Sequence, residues 1–122
     1  MSEARLQEPY FSQMKNHEKY WELRLLDKKR ALWKTGSVLT IRHSEDGTRY
    51  FDVLIEEKLQ GASFKELLEI IHQRDGIDRA LPGINNIADA VHEYCSIISG
   101  NGQTYGELEN NGVVAIKVSM VE

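Results

Sequence analysis

The dipeptide Asp46-Gly47 limits what this chain can become more than any other short segment. Both residues tolerate positive φ, the backbone state that a tight turn between two strands requires. On either side stand segments with the period-two alternation of strands, residues 38–43 before it and residues 50–57 after it. Ser44 to Thr48 joins them, which commits the chain to an antiparallel hairpin. A hairpin hides one apolar face only if something packs on it, so the helices must be found next.

Residues 63–74 give the clearest helix. Ser63 and Glu66 have capping-box spacing, and Phe64, Leu67, Leu68 and Ile71 form one apolar stripe. Residues 86–98 read as another helix, with Ile87, Val91, Tyr94, Cys95 and Ile98 inward. Pro9 suits the first position of a short helix in which Phe11 and Met14 share a face, and Asn16 is placed to take the left-handed conformation at its end. Residues 19–26 alternate as a strand, with Trp21, Leu23 and Leu25 on one face and Tyr20, Glu22 and Arg24 on the other. Asp27 caps a single helical turn reaching Trp33, and Lys34 to Ser37 turns the chain. Residues 75–85 are a polar connection, residues 99–111 a glycine-rich loop, and residues 112–121 a last apolar strand. The order of helix, three strands, two helices and strand predicts an α+β fold with a mainly antiparallel sheet curled around its core. One domain over residues 1–122 is expected, with residues 1–8 as a flexible tail.

With 122 residues, 41% hydrophobic and 28% charged, the chain has the composition of an ordinary globular domain, and about two-thirds of its surface should be buried without a disulfide or metal. Cys95 is the single cysteine, so no internal disulfide forms, which fits a reducing compartment. No apolar run approaches the ~20 residues of a membrane span, and the first eight residues have no secretory h-region. A cytoplasmic protein away from membranes is the expectation.

The net charge of −4 argues against a strongly basic nucleic-acid binder, but the charge is uneven. Residues 15–42 carry eight basic and three acidic side chains, a net of +5, whereas residues 61–122 carry four basic and nine acidic ones, a net of −5. A basic N-terminal face attracts phosphate locally; a mixed, solvated surface accounts for the same counts. His17, His43, His72 and His92 are scattered. His92 and Cys95 are helix neighbours, but Cys95 falls on the apolar face and no second pair has ligand spacing, so neither metal nor cofactor is expected. No phosphate-binding glycine loop or serine–histidine arrangement is present.

The segment Lys19 to Arg24 is the remaining candidate. A carboxylate, a guanidinium and a phenol on one sheet face can read a polar heterocycle: arginine offers a planar donor fork, glutamate accepts from amino groups, and an aromatic ring stacks on a base. Strict alternation puts Lys19 on the opposite face, unless the turn before it swings it round. The ordinary alternative is an exposed strand with an ion pair worth at most ~1 kcal/mol.

The ordered set Phe11, Met14, Lys19, Glu22, Arg24 and Lys34-Thr35-Gly36 resembles the signature of the ASCH (activating signal cointegrator homology) domain, approximately F-x-x-I-x-x-G-x-K-x-x-E-x-R followed by k-x-G-D. Ser63 to Leu68, Leu81-Pro82-Gly83 and Gly112 to Ile116 follow in the family's order, so the resemblance runs from Phe11 to about Val118. It implies a β-barrel of the PUA-like superfamily with flanking helices and a cleft for RNA or a nucleoside or nucleotide ligand, with Lys19, Glu22 and Arg24 at the matched positions; Tyr20, which alternation puts on the face of Glu22 and Arg24, completes the expected binding residues. Some relatives hydrolyse an amide on acetylated cytidine and others have nuclease activity. In the alternative reading this chain is therefore a small hydrolase of a modified nucleoside or RNA, with Lys19 and Glu22 catalytic. His17 stands in place of the family's glycine and Ser37 in place of its aspartate. The amidohydrolases have threonine at the position of Glu22 and a further glutamate downstream, for which Glu93 is a poor match.

Overall fold

The computed structural model describes residues 2–99 and 112–121, with the side chains of residues 98 and 99 left aside. The expected loop at residues 99–111 and the inward side chain of Ile98 therefore lie largely outside the described residues. The elements run β1 (Ser2–Leu6), α1 (Tyr10–Lys15), β2 (Trp21–Leu25), β3 (Val38–His43), β4 (Tyr50–Gly61), α2 (Phe64–Arg74), α3 (Ile87–Ser99) and β5 (Val113–Met120), with 3-10 turns at Arg30–Leu32 and Ile77–Arg79.

The expected hairpin is β3–β4, in which Ile41 pairs with Phe51 and Leu39 with Val53, but neither Asp46 nor Gly47 takes the positive φ expected of them. Asp46 closes the turn instead, its Oδ1 accepting from Thr48 N at 3.1 Å and its carbonyl from Arg49 N at 3.0 Å. Strand β4 runs on past the expected end at residue 57 to Gly61 and carries a register shift between Ile55 and Glu57. An extra residue on one side of a ladder bends the strand and sharpens its twist. The five strands lie in the order β1-β3-β4-β5-β2, antiparallel except for β1 on β3, and the sheet curls into a half-barrel. The α+β class and the mainly antiparallel curled sheet match the expectation at that level.

Within the segment expected as a tail, residues 2–6 form a strand. Ser2–Leu6 pairs in parallel with Leu39 to His43, and Ala4 and Leu6 are buried. The segment has only two apolar side chains, and its partner lies far along the chain, so alternation alone does not reveal it.

Two cores occupy the two faces of the sheet. On one, α2 and α3 lay Phe64, Leu67, Leu68, Ile71 and Tyr94 against Trp21, Leu23 and Ala115. On the other, α1 sends Phe11 and Met14 into a cluster with Leu6, Leu39, Ile41 and Ile116. Strand β5 serves both, which is why Val113 to Ile116 are all buried instead of alternating. Ser63 Oγ accepts from Glu66 N at 3.1 Å, and the Glu66 carboxylate accepts from Ala62 N at 3.0 Å, so the predicted cap of α2 forms with its return bond one residue early. Among the described residues no helix is long and apolar enough to cross a membrane.

Candidate functional site

The turn leaving α1 sets the site up. The left-handed residue is His17, at φ +67°, not Asn16, at φ −90°. His17 thus occupies the glycine position of the resembled pattern and adopts the conformation for which glycine is favoured there. The turn hands Glu18 N and Lys19 N to Gln13 O, at 2.9 and 3.2 Å. Strand β2 begins only at Trp21, so Lys19 escapes the alternation that would have pointed it away from Glu22.

Lys19 is buried, and its Nζ donates to Trp21 O at 2.7 Å, Ala80 O at 2.6 Å and Tyr94 Oη at 2.9 Å, with Glu22 Oε1 at 3.1 Å. Glu22 is 5% exposed and receives Arg24 Nε on Oε2 at 3.0 Å and Leu23 N on Oε1 at 3.2 Å. The exposed-strand reading therefore fails: these charges are out of water and held by each other. Removing an ion from water costs several kcal/mol unless its hydrogen bonds are replaced, and here both ions are fully surrounded. Burial pushes the Glu22 carboxyl up, but the two cations beside it outweigh burial and hold it below the usual carboxylate range. For Lys19 burial dominates; it draws the ammonium below the ordinary lysine value against the pull of Glu22, and Arg24 adds to the effect.

The register explains why these ions sit where they do. Val118 N donates to Tyr20 O, and Leu26 N to Gly112 O, so even-numbered residues of this segment bond to β5. The N–H and C=O groups of Trp21, Leu23 and Leu25 consequently face the opposite, free edge. Lys19 fills Trp21 O and Glu22 fills Leu23 N. The motif charges thus fill part of an unpaired sheet edge, a role that local alternation cannot show.

Arg24 spans the gap beyond that edge. Its Nη2 donates to Arg5 O at 2.5 Å, joining β2 to β1, the two outer strands of the half-barrel. A cleft of about 450 Å³ lies there, bordered by Leu6, Tyr10, Glu22, Arg24, Leu25 and Tyr94. Arg30 also borders it but is engaged by Asp27 at 2.5 Å, and the Asp27 side chain accepts from Arg30 N at 2.7 Å, although the 3-10 turn at Arg30–Leu32 has Lys29, not the expected Asp27, in the N-cap position.

Tyr20, expected beside Glu22 and Arg24, lies elsewhere. It lines a second depression of about 390 Å³, and its ring has Lys117 Nζ at 5.5 Å and the Arg79 guanidinium at 5.9 Å. The cleft aromatics are Tyr10 and Tyr94, from α1 and α3. Tyr94 was legible as an inward residue of its helix, but nothing local tied either ring to Lys19. Tyr10 Oη donates to Glu93 at 2.5 Å, so Glu93 serves this phenol and does not join Lys19. Burial first, and then the neighbouring carboxylate, raises both phenols, so both remain protonated donors. Ser37 Oγ, in the resembled aspartate's place, donates to Lys34 O at 2.5 Å and closes its own turn. Cys95 is buried as expected, and among the described residues no group of three or more His, Cys, Asp or Glu side chains could hold a metal.

No model of a known protein family matches the chain, and no curated protein does. Two solved structures are similar over almost the whole length. The solution NMR structure of protein PF0455 from Pyrococcus furiosus has 28% identity and a TM-score of 0.67, covering 99% of this chain and 97% of that one. The crystal structure of hypothetical protein PH0355 has 31% identity and a TM-score of 0.76, covering 98% of this chain and 97% of that one. With that identity sustained end to end, the chain belongs to the same protein family as PH0355.

Proposed function

We propose that the cleft between β1 and β2 binds an RNA nucleotide or a nucleoside-like ligand, as a module of the ASCH type with a PUA-like half-barrel. One observation carries the reading. Arg24 is fixed by Glu22 and Arg5 O, yet among the described residues nothing bonds to its Nη1, which leaves a preorganised donor at the cleft wall beside Tyr10. An arginine held in place loses little freedom when it takes an anion or a base edge. Lys19 and Glu22 act behind it as positioning residues, since their hydrogen-bonding capacity is already used.

Titration of the full chain with the four ribonucleosides and short single-stranded RNAs tests this. Arg24→Ala is expected to weaken binding by about tenfold or more, as for loss of a charge-assisted hydrogen bond, while the thermal transition of the variant remains cooperative. Equal binding by a folded Arg24→Ala protein would reject the site.

A hydrolase of modified nucleosides or RNA is the second reading. It is favoured by the lysine whose pKa burial draws down next to a carboxylate. It requires Lys19 to exchange one of its four contacts for substrate. Turnover of acylated nucleosides that disappears in Lys19→Met would establish it; turnover equal in that variant would remove it.

A further inference from the structure

The free edge of β2 is plugged only in part. Lys19 takes Trp21 O and Glu22 takes Leu23 N, but among the described residues nothing bonds to Leu23 O, Leu25 N or Leu25 O. All three point away from β5, and both Leu23 and Leu25 border the cleft. Leu25 therefore presents a fixed N–H and C=O, the doublet that an antiparallel partner residue would use.

Resting on the nucleoside reading above, we infer that the cleft reads the pairing edge of an unpaired nucleobase through the main chain of Leu25. Every base carries an adjacent donor and acceptor on its Watson–Crick edge, and one extended residue satisfies both. The doublet cannot rotate away, so it costs no side-chain ordering. Arg24 leaves the same strand beside it, and the Tyr10 ring borders the same space.

An extended peptide added as a strand is the competing occupant. It needs several consecutive outward groups. The ions have closed the edge as far as Leu23 N, and the Arg24–Arg5 bond crosses the gap beside what remains. A cleft of about 450 Å³ lies within the roughly 300–1,000 Å³ range of small-molecule sites.

The test edits the ligand, so no variant has to fold. The full chain is titrated with each ribonucleoside and with its counterpart blocked at the pairing edge: N3-methyluridine, N1-methylguanosine, and cytidine and adenosine with dimethylated exocyclic amines. Whichever nucleoside binds should lose about tenfold or more in affinity when blocked. Its binding should also move the Leu25 amide proton downfield in NMR spectra. Equal affinity of blocked and unblocked forms overturns the edge reading and leaves nucleotide binding standing. Absence of binding by every nucleoside and by short RNA overturns both. A capped trialanine that moves the Leu25 amide while the nucleosides do not overturns it in favour of strand addition.

Discussion

Two arginine–glutamate contacts in this molecule share their chemistry and differ in setting. Arg74 grips Glu57 with both terminal nitrogens on the surface, with side chains 40% and 33% exposed. Arg24 meets Glu22 at 3.0 Å behind the cleft wall, where the carboxylate side chain is 6% exposed and shares its other oxygen with Lys19. The surface pair can be lost and replaced by water. The buried cluster cannot, because every member that leaves strands another in a place without solvent. Good geometry is common to both, so burial decides what each contact is worth.

The sharpest way to break the comparison is Glu22→Gln. It leaves Lys19 and Arg24 facing each other without a counter-charge and should cost about 3–5 kcal/mol in denaturant unfolding. The double variant Lys19→Met with Glu22→Gln should recover much of that loss, since it also removes the more deeply buried of the two stranded cations. If the two substitutions add independently, the cluster is not a unit.

A pH series separates the members. The Glu22 carboxyl lies below its ordinary 4.5 in the folded protein, so its contribution is present above about pH 4.5 and is lost as pH falls through the folded value. Lys19 is shifted below its ordinary 10.5, so between its folded value and 10.5 the unfolded chain holds the extra proton and stability rises with pH. Glu22→Gln should flatten the acid limb and Lys19→Met the alkaline rise. The smallest effect belongs to the surface: Glu57→Gln should cost less than about 1 kcal/mol and less still in high salt.

The same contrast explains what the sequence made visible. The β3–β4 hairpin, the stripe and cap of α2, and the order of the later elements depend on spacings within a dozen or so residues, and these were legible. The pairing of Lys19 with Glu22 was suggested by the motif, but its burial was not, because Ala80 and Tyr94 come over it from distant segments. Alternation placed Tyr20 with Glu22 and Arg24, whereas Tyr20 precedes the strand and packs beside Lys117. Tyr10 and β1 were missed for the same reason. Each acquires its role from a partner far along the chain, β1 from β3 and Tyr10 from Glu93.

The pairing of β2 with β5 also has a consequence in time. The β3–β4 hairpin closes over its own short turn, but Trp21 finds its ladder partner only at Lys117. Closing so long a loop is slow compared with closing a hairpin. During synthesis, then, Trp21 to Leu25 wait without a ladder partner until β5 has been made, and the register of the cleft wall is among the last features of the molecule to be set. A chain halted before Val113 would lack the ladder that holds this wall in register, however well its hairpin and α2 had formed.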